Sequence, residues 1–465
     1  MSIISTTDTI CAISTAPGMG AIAVIRLSGQ ASFEVISSIF KPAEKNLDIK
    51  TAGSHTIHLG ILGTEESILD EVLISLFRAP HSYTGEDVIE ISCHGSVYIQ
   101  QKTLELLLSC GLRLAKPGEF TLRAFMNRKF DLSQAEAVAD LISSHSGSSH
   151  DLAIQQMRGG FSKKISALRQ SLIEFTSLIE LELDFSEEHM IFADRADLNI
   201  LLDRLEEELT VLVSSFSLGN VIKNGIPVAI IGKPNVGKST LLNAILNEEK
   251  AIVSEIPGTT RDAIEDTIVI GGYSFRFIDT AGLRAAEDKI ESIGIERTWE
   301  KISDAAIILY VFDVTEQSFE DVMEALSEFK EITEDKSRNL ILIGNKMDKL
   351  KSLPKGFKEF VEHETIFVSG KRKENIHLIA EHLQLVVEET KISDKTIVSN
   401  SRHYEALQKA LDSILSVRTG LQEGISPDLL TIDIRKALYY LGEITGEITT
   451  DEILGNIFSR FCVGK

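Results

Sequence analysis

The sequence predicts a multidomain chain, α/β plus all-α: an N-terminal mixed α/β domain, a central helical domain, and a P-loop α/β domain inserted into the helical one. Three observations carry this. The apolar period is two up to about residue 120 and 3.6 from Phe120 to about Gly219, and helical periodicity returns after residue 387. Between those helical stretches, strands and helices alternate, as in a parallel sheet with crossovers. At the head of that alternation stands Gly232-Lys233-Pro234-Asn235-Val236-Gly237-Lys238-Ser239, which fits G-x-x-x-x-G-K-[ST] between an apolar run (Pro227 to Ile231) and a helix start. The domains are therefore read as 1–120, 121–219, 220–386 and 387–465, the second and fourth forming one helical domain whose insertion has its ends close together.

In chain order, Thr9 to Ser14, Ala21 to Leu27, His58 to Ile61, Val72 to Phe77 and Asp87 to Ser92 read as strands, and Ser96 to Cys110 as a helix. Phe161, Ile165, Leu168, Leu172, Phe175 and Ile179 recur at three- and four-residue steps, as do Leu198, Leu201, Leu205, Leu209, Leu212 and Phe216. Such stripes are bundle core. Within the inserted domain, Thr267 to Ile270 and Tyr273 to Ile278 flank Gly271-Gly272, a hairpin signal. Ala306 to Phe312, Leu340 to Ile343 and Ile366 to Val368 are apolar throughout, as buried parallel strands should be. Tyr404 to Val417 and Leu429 to Leu441 are periodic again.

The chemistry of the inserted domain follows from its strand ends. The glycines of the P-loop let the backbone wrap a phosphate at a helix N-terminus; Lys238 reaches the β- and γ-phosphates and Ser239 holds Mg²⁺. Asp279-Thr280-Ala281-Gly282 follows an apolar strand, with Asp279 on Mg²⁺ through water and the Gly282 N–H sensing the γ-phosphate. Asn345-Lys346-Met347-Asp348 ends another strand. Asp348 accepts both N1–H and the amino group of guanine, which adenine does not offer, and the stem of Lys346 packs on the base. The N–H groups of Ser369-Gly370-Lys371 are the donors available to the guanine oxygen. Thr260, in the loop before Asp279, completes the Mg²⁺ shell. Together these make the inserted domain a Ras-like P-loop GTPase and GTP its nucleotide, contacted by Asn235, Val236, Gly237, Lys238, Ser239, Thr240, Ser254, Thr259, Thr260, Asp279, Thr280, Ala281, Gly282, Asn345, Lys346, Asp348 and Ser369. Leu283 stands where small signalling GTPases place a water-orienting glutamine. Glu291 is the candidate replacement, although spacing alone favours a solvated helix carboxylate there.

Composition narrows the rest. The chain carries 47 Lys and Arg against 69 Asp and Glu, a formal net charge of −22, which weighs against a general nucleic-acid coat and confines any RNA contact to a local patch. There is no apolar span of about 20 residues and no basic, apolar leader, so a membrane segment and secretion are not expected. Four scattered cysteines without C-x-x-C spacing suit a reducing, cytoplasmic setting and argue against zinc.

With those motifs in place, the chain resembles the MnmE (TrmE) family of tRNA-modification GTPases. The resemblance rests on the P-loop with Asn235, Gly258-Thr259-Thr260-Arg261-Asp262, Asp279 to Arg284, Asn345 to Asp348 and the ending Phe461-Cys462-Val463-Gly464-Lys465. It extends over Ala21 to Gly29, Tyr83 to Asp87, Cys93-His94-Gly95, Lys116 to Phe120 and Asp131 to Glu136. It implies a homodimer working with the flavin-dependent protein MnmG, as a heterotetramer, to build a (carboxymethyl)aminomethyl group on C5 of the wobble uridine of certain tRNAs. It also implies a 5-formyl- or methylene-tetrahydrofolate in the first domain, bound by Arg26, Glu90, Lys129 and Lys465. By the same resemblance K⁺ is held by Asn235, Ser254, Ile256 and Thr259, Glu291 is the water-orienting carboxylate, and Cys462 is a candidate for the modification chemistry, although a lone Cys is more often a small packed residue. Catalysis of hydrolysis would rest on Glu291, Lys238 and Thr260. The sequence departs from the family at Val463, usually Ile, and at Gly370, usually Ala. A different class, a GTP-timed assembly factor for ribosomal RNA, would need an appended RNA-binding domain with a basic face or a G-x-x-G clamp, and this chain has neither.

Overall fold

A computed structural model of the chain describes residues 8–64, 67–184, 195–248, 266–278, 305–327, 339–352, 354–389, 396–459 and 461–464. By packing it divides into two units. The first holds residues 1–142, 154–209 and 406–465; the second holds 143–153 and 210–405. The sequence pattern puts domain ends at 219/220 and 386/387, whereas packing puts them inside the helices Arg195–Ser214 and Ser401–Glu423. Periodicity reports where a helix stops, not which core each of its turns joins.

The first unit opens on a seven-stranded sheet: β1 (Ile10–Ile13), β2 (Ile22–Ser28), β3 (Phe40–Pro42), β4 (Thr56–Gly63), β5 (Ile68–Phe77), β6 (Val88–His94) and β7 (Arg113–Leu114), in the order β3-β4-β5-β6-β2-β1-β7. All neighbours are antiparallel except β1 and β7. Strict alternation decides the two faces. Ala23, Ile25, Leu27, Ile74, Leu76, Ile89, Ile91 and Cys93 form one buried face, packed with Phe33, Ile36 and Leu107 from α1 (Ser32–Ile39) and α2 (Val97–Ser109). Arg26 and Glu90 face each other in register on the opposite side. Helix α1 and the edge strand β3 are not signalled by the sequence pattern, because eight residues give too few turns to display a period.

The helical part of this unit buries the expected stripe. Phe161, Ile165, Leu168, Leu172, Phe175 and Ile179 of α6 (Gly160–Asp184) are all buried, as are Leu205 and Leu209 of α7 (Arg195–Ser214). The helix Pro427–Thr445 lies along α6 and buries Leu430, Ile434, Ala437, Leu441 and Ile444 at alternating four- and three-residue steps.

At the joint between sheet and helices sits a buried ion cluster. Arg123, on α3 (Glu119–Met126), has no exposed side-chain surface and binds Asp8 at 2.7 Å, Glu86 at 3.1 Å and Glu119 at 3.1 Å. Arg113 shares two of these carboxylates, Asp8 at 2.7 Å and Glu119 at 2.6 Å. Burial alone would raise both carboxyls, but the two guanidiniums outweigh it and hold Asp8 and Glu119 below their ordinary values.

The second unit is a doubly wound six-stranded sheet. Its strands are β8 (Ile226–Ile231), β9 (Asp266–Ile270), β10 (Tyr273–Phe277), β11 (Ile307–Asp313), β12 (Asn339–Asn345) and β13 (Ile366–Phe367), in the order β13-β12-β11-β8-β10-β9. Every pair is parallel except the hairpin β9–β10. Gly271 and Gly272 turn that hairpin at φ +57° and +85°, values that an L side chain resists. Strands β8 and β11 are buried at every residue, which is why they read as unbroken apolar runs.

Replacing Arg123 with Met leaves three carboxylates facing a buried apolar group, and about 3–5 kcal/mol of unfolding free energy should be lost at pH 7. A carboxyl with a depressed folded pKa contributes stability above its unfolded value near 4 and loses it as pH falls through the folded value. Urea unfolding should therefore show the gap between the native chain and Arg123→Met narrowing below about pH 4; a gap independent of pH would remove Asp8 and Glu119 from the account.

Candidate functional site: the P-loop and the loops it is tied to

Strand β8 delivers the chain to Gly232, whose backbone (φ +147°) runs so close to β11 that a Cβ would lie 2.0 Å from the Val311 carbonyl oxygen. The loop then passes through Asn235 at φ +60° and Gly237 at φ +95°, and α8 (Lys238–Glu248) begins at once. A Cβ on Gly237 would meet Asn345 Nδ2 at 2.5 Å, so glycine is required twice by close approach. Val236 points inward and is buried, which anchors the loop to the core of the sheet. Lys238 Nζ donates to the carbonyls of Gly232 at 2.7 Å and Lys233 at 2.9 Å, folding the lysine over the loop it must serve. Ser239, half-buried, and the exposed Thr240 occupy the first turn of α8, where orphan N–H groups and the helix dipole favour an anion.

The opposite side of the site is built on the end of β12. Asn345 is buried, and its Nδ2 donates to the Val236 carbonyl at 2.8 Å while its Oδ1 accepts from the Gly370 N–H at 3.0 Å. One side chain thus ties the P-loop to the 369–371 loop. Lys346 adopts φ +66° and sends its ammonium to Asp313 Oδ2 at 2.6 Å. Asp313, nearly fully buried at the end of β11, also accepts from the Thr315 N–H (2.9 Å) and hydroxyl (2.7 Å). Burial pushes the Asp313 carboxyl up, but Lys346 and Thr315 outweigh it and keep it ionised. Sequence reasoning passed over Asp313. The available signal was an acid closing an otherwise apolar strand, one place across from Asn345 in register.

Asp348 lies on the short turn Met347–Lys349 and accepts from the Ser369 hydroxyl at 2.7 Å. That bond, with a backbone hydrogen bond and then the nearby Arg372 guanidinium adding less, holds its carboxyl below the ordinary range despite some desolvation. Ser369 therefore acts through its side chain, as a brace for Asp348. Its N–H donates to the Glu374 carbonyl at 3.1 Å, and the Gly370 N–H is taken by Asn345, which leaves the donor role expected of this loop to Lys371, whose N–H has no partner among the described residues.

The remaining nucleotide and metal assignments, Ser254, Ile256, Thr259, Thr260, Asp279, Thr280, Ala281, Gly282 and Glu291, lie outside the described residues, as does Lys465. Strand β10 ends at Phe277, and the Ile278 N–H bonds to Val228, so the chain leaves the sheet beside the P-loop strand just ahead of Asp279.

In the first unit, Arg26 and Glu90 pair at 2.8 Å on the sheet face opposite α1 and α2. The Arg26 guanidinium lies over the Tyr83 ring at 5.0 Å and near Phe120 at 5.7 Å, so aromatic faces and Glu90 fix its orientation. Lys129 Nζ donates to the Pro80 carbonyl at 3.0 Å. The chain end comes to the same strands: the Ser14 hydroxyl donates to the Gly464 carbonyl at 3.1 Å and the Gly118 N–H to the Cys462 carbonyl at 3.4 Å. Gly464 approaches β1 so closely that a Cβ would sit 2.2 Å from the Ile13 oxygen. Cys462 is exposed there, and Ala12 of β1 lies opposite Arg26 in register.

The Asp348 geometry sets a test of base recognition. Asp348→Asn should lower affinity for guanine nucleotides by tenfold or more while improving affinity for xanthine nucleotides, because the exchanged donor and acceptor match the changed base edge. Calorimetric titration with both nucleotides measures this, and an unchanged preference would show that Asp348 does not face the base.

Comparison with known proteins agrees with this geometry. A family model described as the MnmE helical domain matches residues 132–462, and one described as the N-terminus of the GTP-binding protein TrmE matches residues 9–129. The tRNA modification GTPase MnmE of Flavobacterium psychrophilum is 52% identical over 459 residues, covering 98% of this chain and 99% of the relative. Those of Cytophaga hutchinsonii and Bacteroides thetaiotaomicron are each 51% identical, over 461 and 471 residues, covering 99% and 98% of this chain and 98% and 99% of the relatives. None of the described helices is long and apolar enough to cross a membrane. A P-loop stitched to the end of β12, with both family models and full-length relatives behind it, makes the chain a member of the MnmE (TrmE) family of tRNA-modification GTPases.

Proposed function

We propose that the chain is a K⁺-dependent GTP hydrolase that acts with a flavin-dependent partner of the MnmG type to install a (carboxymethyl)aminomethyl group on C5 of the wobble uridine of certain tRNAs. The observation that carries the nucleotide half is the arrangement of Asp348, braced by Ser369, beside Asn345 bonded to the P-loop. Family membership supports the tRNA half.

Within this reading, Lys238 exchanges its two loop carbonyls for phosphate oxygens when GTP enters, and Val236, Gly237, Thr240, Thr280, Ala281 and Gly282 line the phosphates. The Lys346 stem lies on the base, its ammonium held back by Asp313. Ser239 and Thr260, with Asp279 through water, would hold Mg²⁺, and Asn235, Ser254, Ile256 and Thr259 would hold K⁺. The two cations supply charge neutralisation at the transferring phosphoryl group. Glu291 orients the attacking water, a role that Leu283 has no polar atom to perform.

The first domain, residues 1–120, is proposed as the dimerisation and folate-binding part, with 121–219 and 387–465 as the helical domain and 220–386 as the inserted GTPase domain. Arg26 and Lys129, with Lys465, suit the carboxylates of a tetrahydrofolate derivative, and Glu90 suits the pterin N–H edge. The seating of the Cys462-containing chain end against β1 supports that location. The working assembly is a homodimer joined to MnmG as a heterotetramer in the cytoplasm.

Two measurements test this. GTP turnover should rise steeply when Na⁺ is exchanged for K⁺, with equal rates in both salts counting against the Asn235 assignment. In cells lacking the chain, mass spectrometry of wobble nucleosides should find the C5 modification gone. Wild-type chain should restore it, whereas Glu291→Ala, slowed about 10²-fold or more in hydrolysis, should not.

A further inference from the structure

The chain holds more acids than bases, and nearly every described arginine is spoken for. Arg26, Arg113, Arg123, Arg169, Arg204, Arg372 and Arg418 pair with carboxylates, and Arg78 is clamped by three carbonyls over the Phe33 ring. Arg128 and Arg158 are the exceptions. Both are exposed, and neither has an ion pair or side-chain hydrogen bond among the described residues. Lys163, also exposed, is likewise without an acidic partner.

These cations stand on two turns that the fold locks together within the first unit. Arg128 is in the turn leading into α4 (Leu132–Ser143), and Arg158 and Lys163 flank the junction between α5 (Gly147–Met157) and α6. Gln134 Nε2 donates to the Met157 carbonyl at 2.9 Å, and the Ser133 and Ser162 hydroxyls bond at 2.8 Å in a buried contact. The turn at Gly159 closes tightly on Gln134, 3.1 Å from where a Cβ would stand.

The sequence through the α5–α6 junction carries no acid. Residues 152–173 contain Arg158, Lys163, Lys164 and Arg169 and no Asp or Glu. Asp131, the acid nearest Arg128 in sequence, spends Oδ1 on the Ser133 hydroxyl and the Gln134 N–H. Arg128 itself sits at φ +57°, a conformation in which Gly or Asn is the easier residue, so a long cationic side chain stands there against backbone preference.

We propose that this corner, Arg128, Arg158 and Lys163, binds the sugar-phosphate backbone of RNA, and that on the proposed function the RNA is the substrate tRNA. The argument is charge complementarity on a rigid frame. Unpaired arginines and a lysine fixed by two interlocked turns match phosphates directly, whereas seven other described arginines are answered by carboxylates and Arg78 by carbonyls. Phosphate contacts of this kind set position and not sequence.

The test uses the full chain, alone and with its flavoprotein partner, and an unmodified tRNA transcript, with binding followed by fluorescence anisotropy over a salt series. The triple variant Arg128→Gln, Arg158→Gln, Lys163→Gln should bind about tenfold more weakly or worse near 0.1 M salt, with the slope of log affinity against log salt reduced by about two to three. Its GTP turnover and melting temperature should be unchanged, and Arg128→Lys with Arg158→Lys should keep the native slope. An unchanged affinity and slope in the Gln variant overturn the proposal. So does a Gln variant that holds tRNA normally but no longer co-elutes with the flavoprotein, which would make the corner a protein-docking surface. If the native chain binds no tRNA with or without the flavoprotein, the tRNA half of the proposed function fails and takes this surface with it.

Discussion

The nucleotide site depends on one buried carboxamide. Asn345 reaches the P-loop with its nitrogen and the 369–371 loop with its oxygen, so two loops separated by more than a hundred residues share one anchor. Both bonds lie out of water, where a lost partner leaves an unpaired polar group and costs more than the bond itself contributes. The surrounding sequence accommodates that anchor. Gly237 has no Cβ because the Asn345 nitrogen occupies its place, and Gly232 has none because β11 does.

The same logic extends to the turn that follows β12. Asp348 and Lys346 sit two residues apart, and each is restrained by a residue from a different part of the chain: Asp348 by Ser369, Lys346 by Asp313. The restraint matters chemically. A carboxylate held in one rotamer and kept ionised presents two acceptors at fixed spacing, and the entropy of arranging them has been met in folding rather than at binding. The Lys346 ammonium is held by a buried acid instead of standing as a mobile charge.

The first unit solves a different problem, that of fixing a chain terminus. Residues 461–464 are not part of a sheet or helix, yet glycines at 118 and 464 allow backbone to approach backbone, and Ser14 supplies the hydroxyl that closes the contact. The ion cluster around Arg123 stiffens the α3 end of that seat by joining Asp8, Glu86 and Glu119 through one fully buried guanidinium. Where the chain has such clusters its cations are neutralised, and the unpaired arginines of the α4–α6 corner stand out against them.

The sequence by itself determined what depends on neighbours along the chain. The P-loop, the hairpin glycines, the helical stripe from Phe161 to Ile179 and the strand ends at Asn345 and Asp348 are legible because periodicity and turn geometry act over a few covalent steps. Tertiary structure alone decided what depends on approach between distant segments. It made Ser369 a brace for Asp348 instead of a backbone donor to the base, gave Asp313 its lysine, gathered three acids on Arg123, and set packing boundaries inside continuous helices. A side chain's partner across the fold is chosen by how strands register and helices pack, and no spacing in a one-dimensional string encodes that distance.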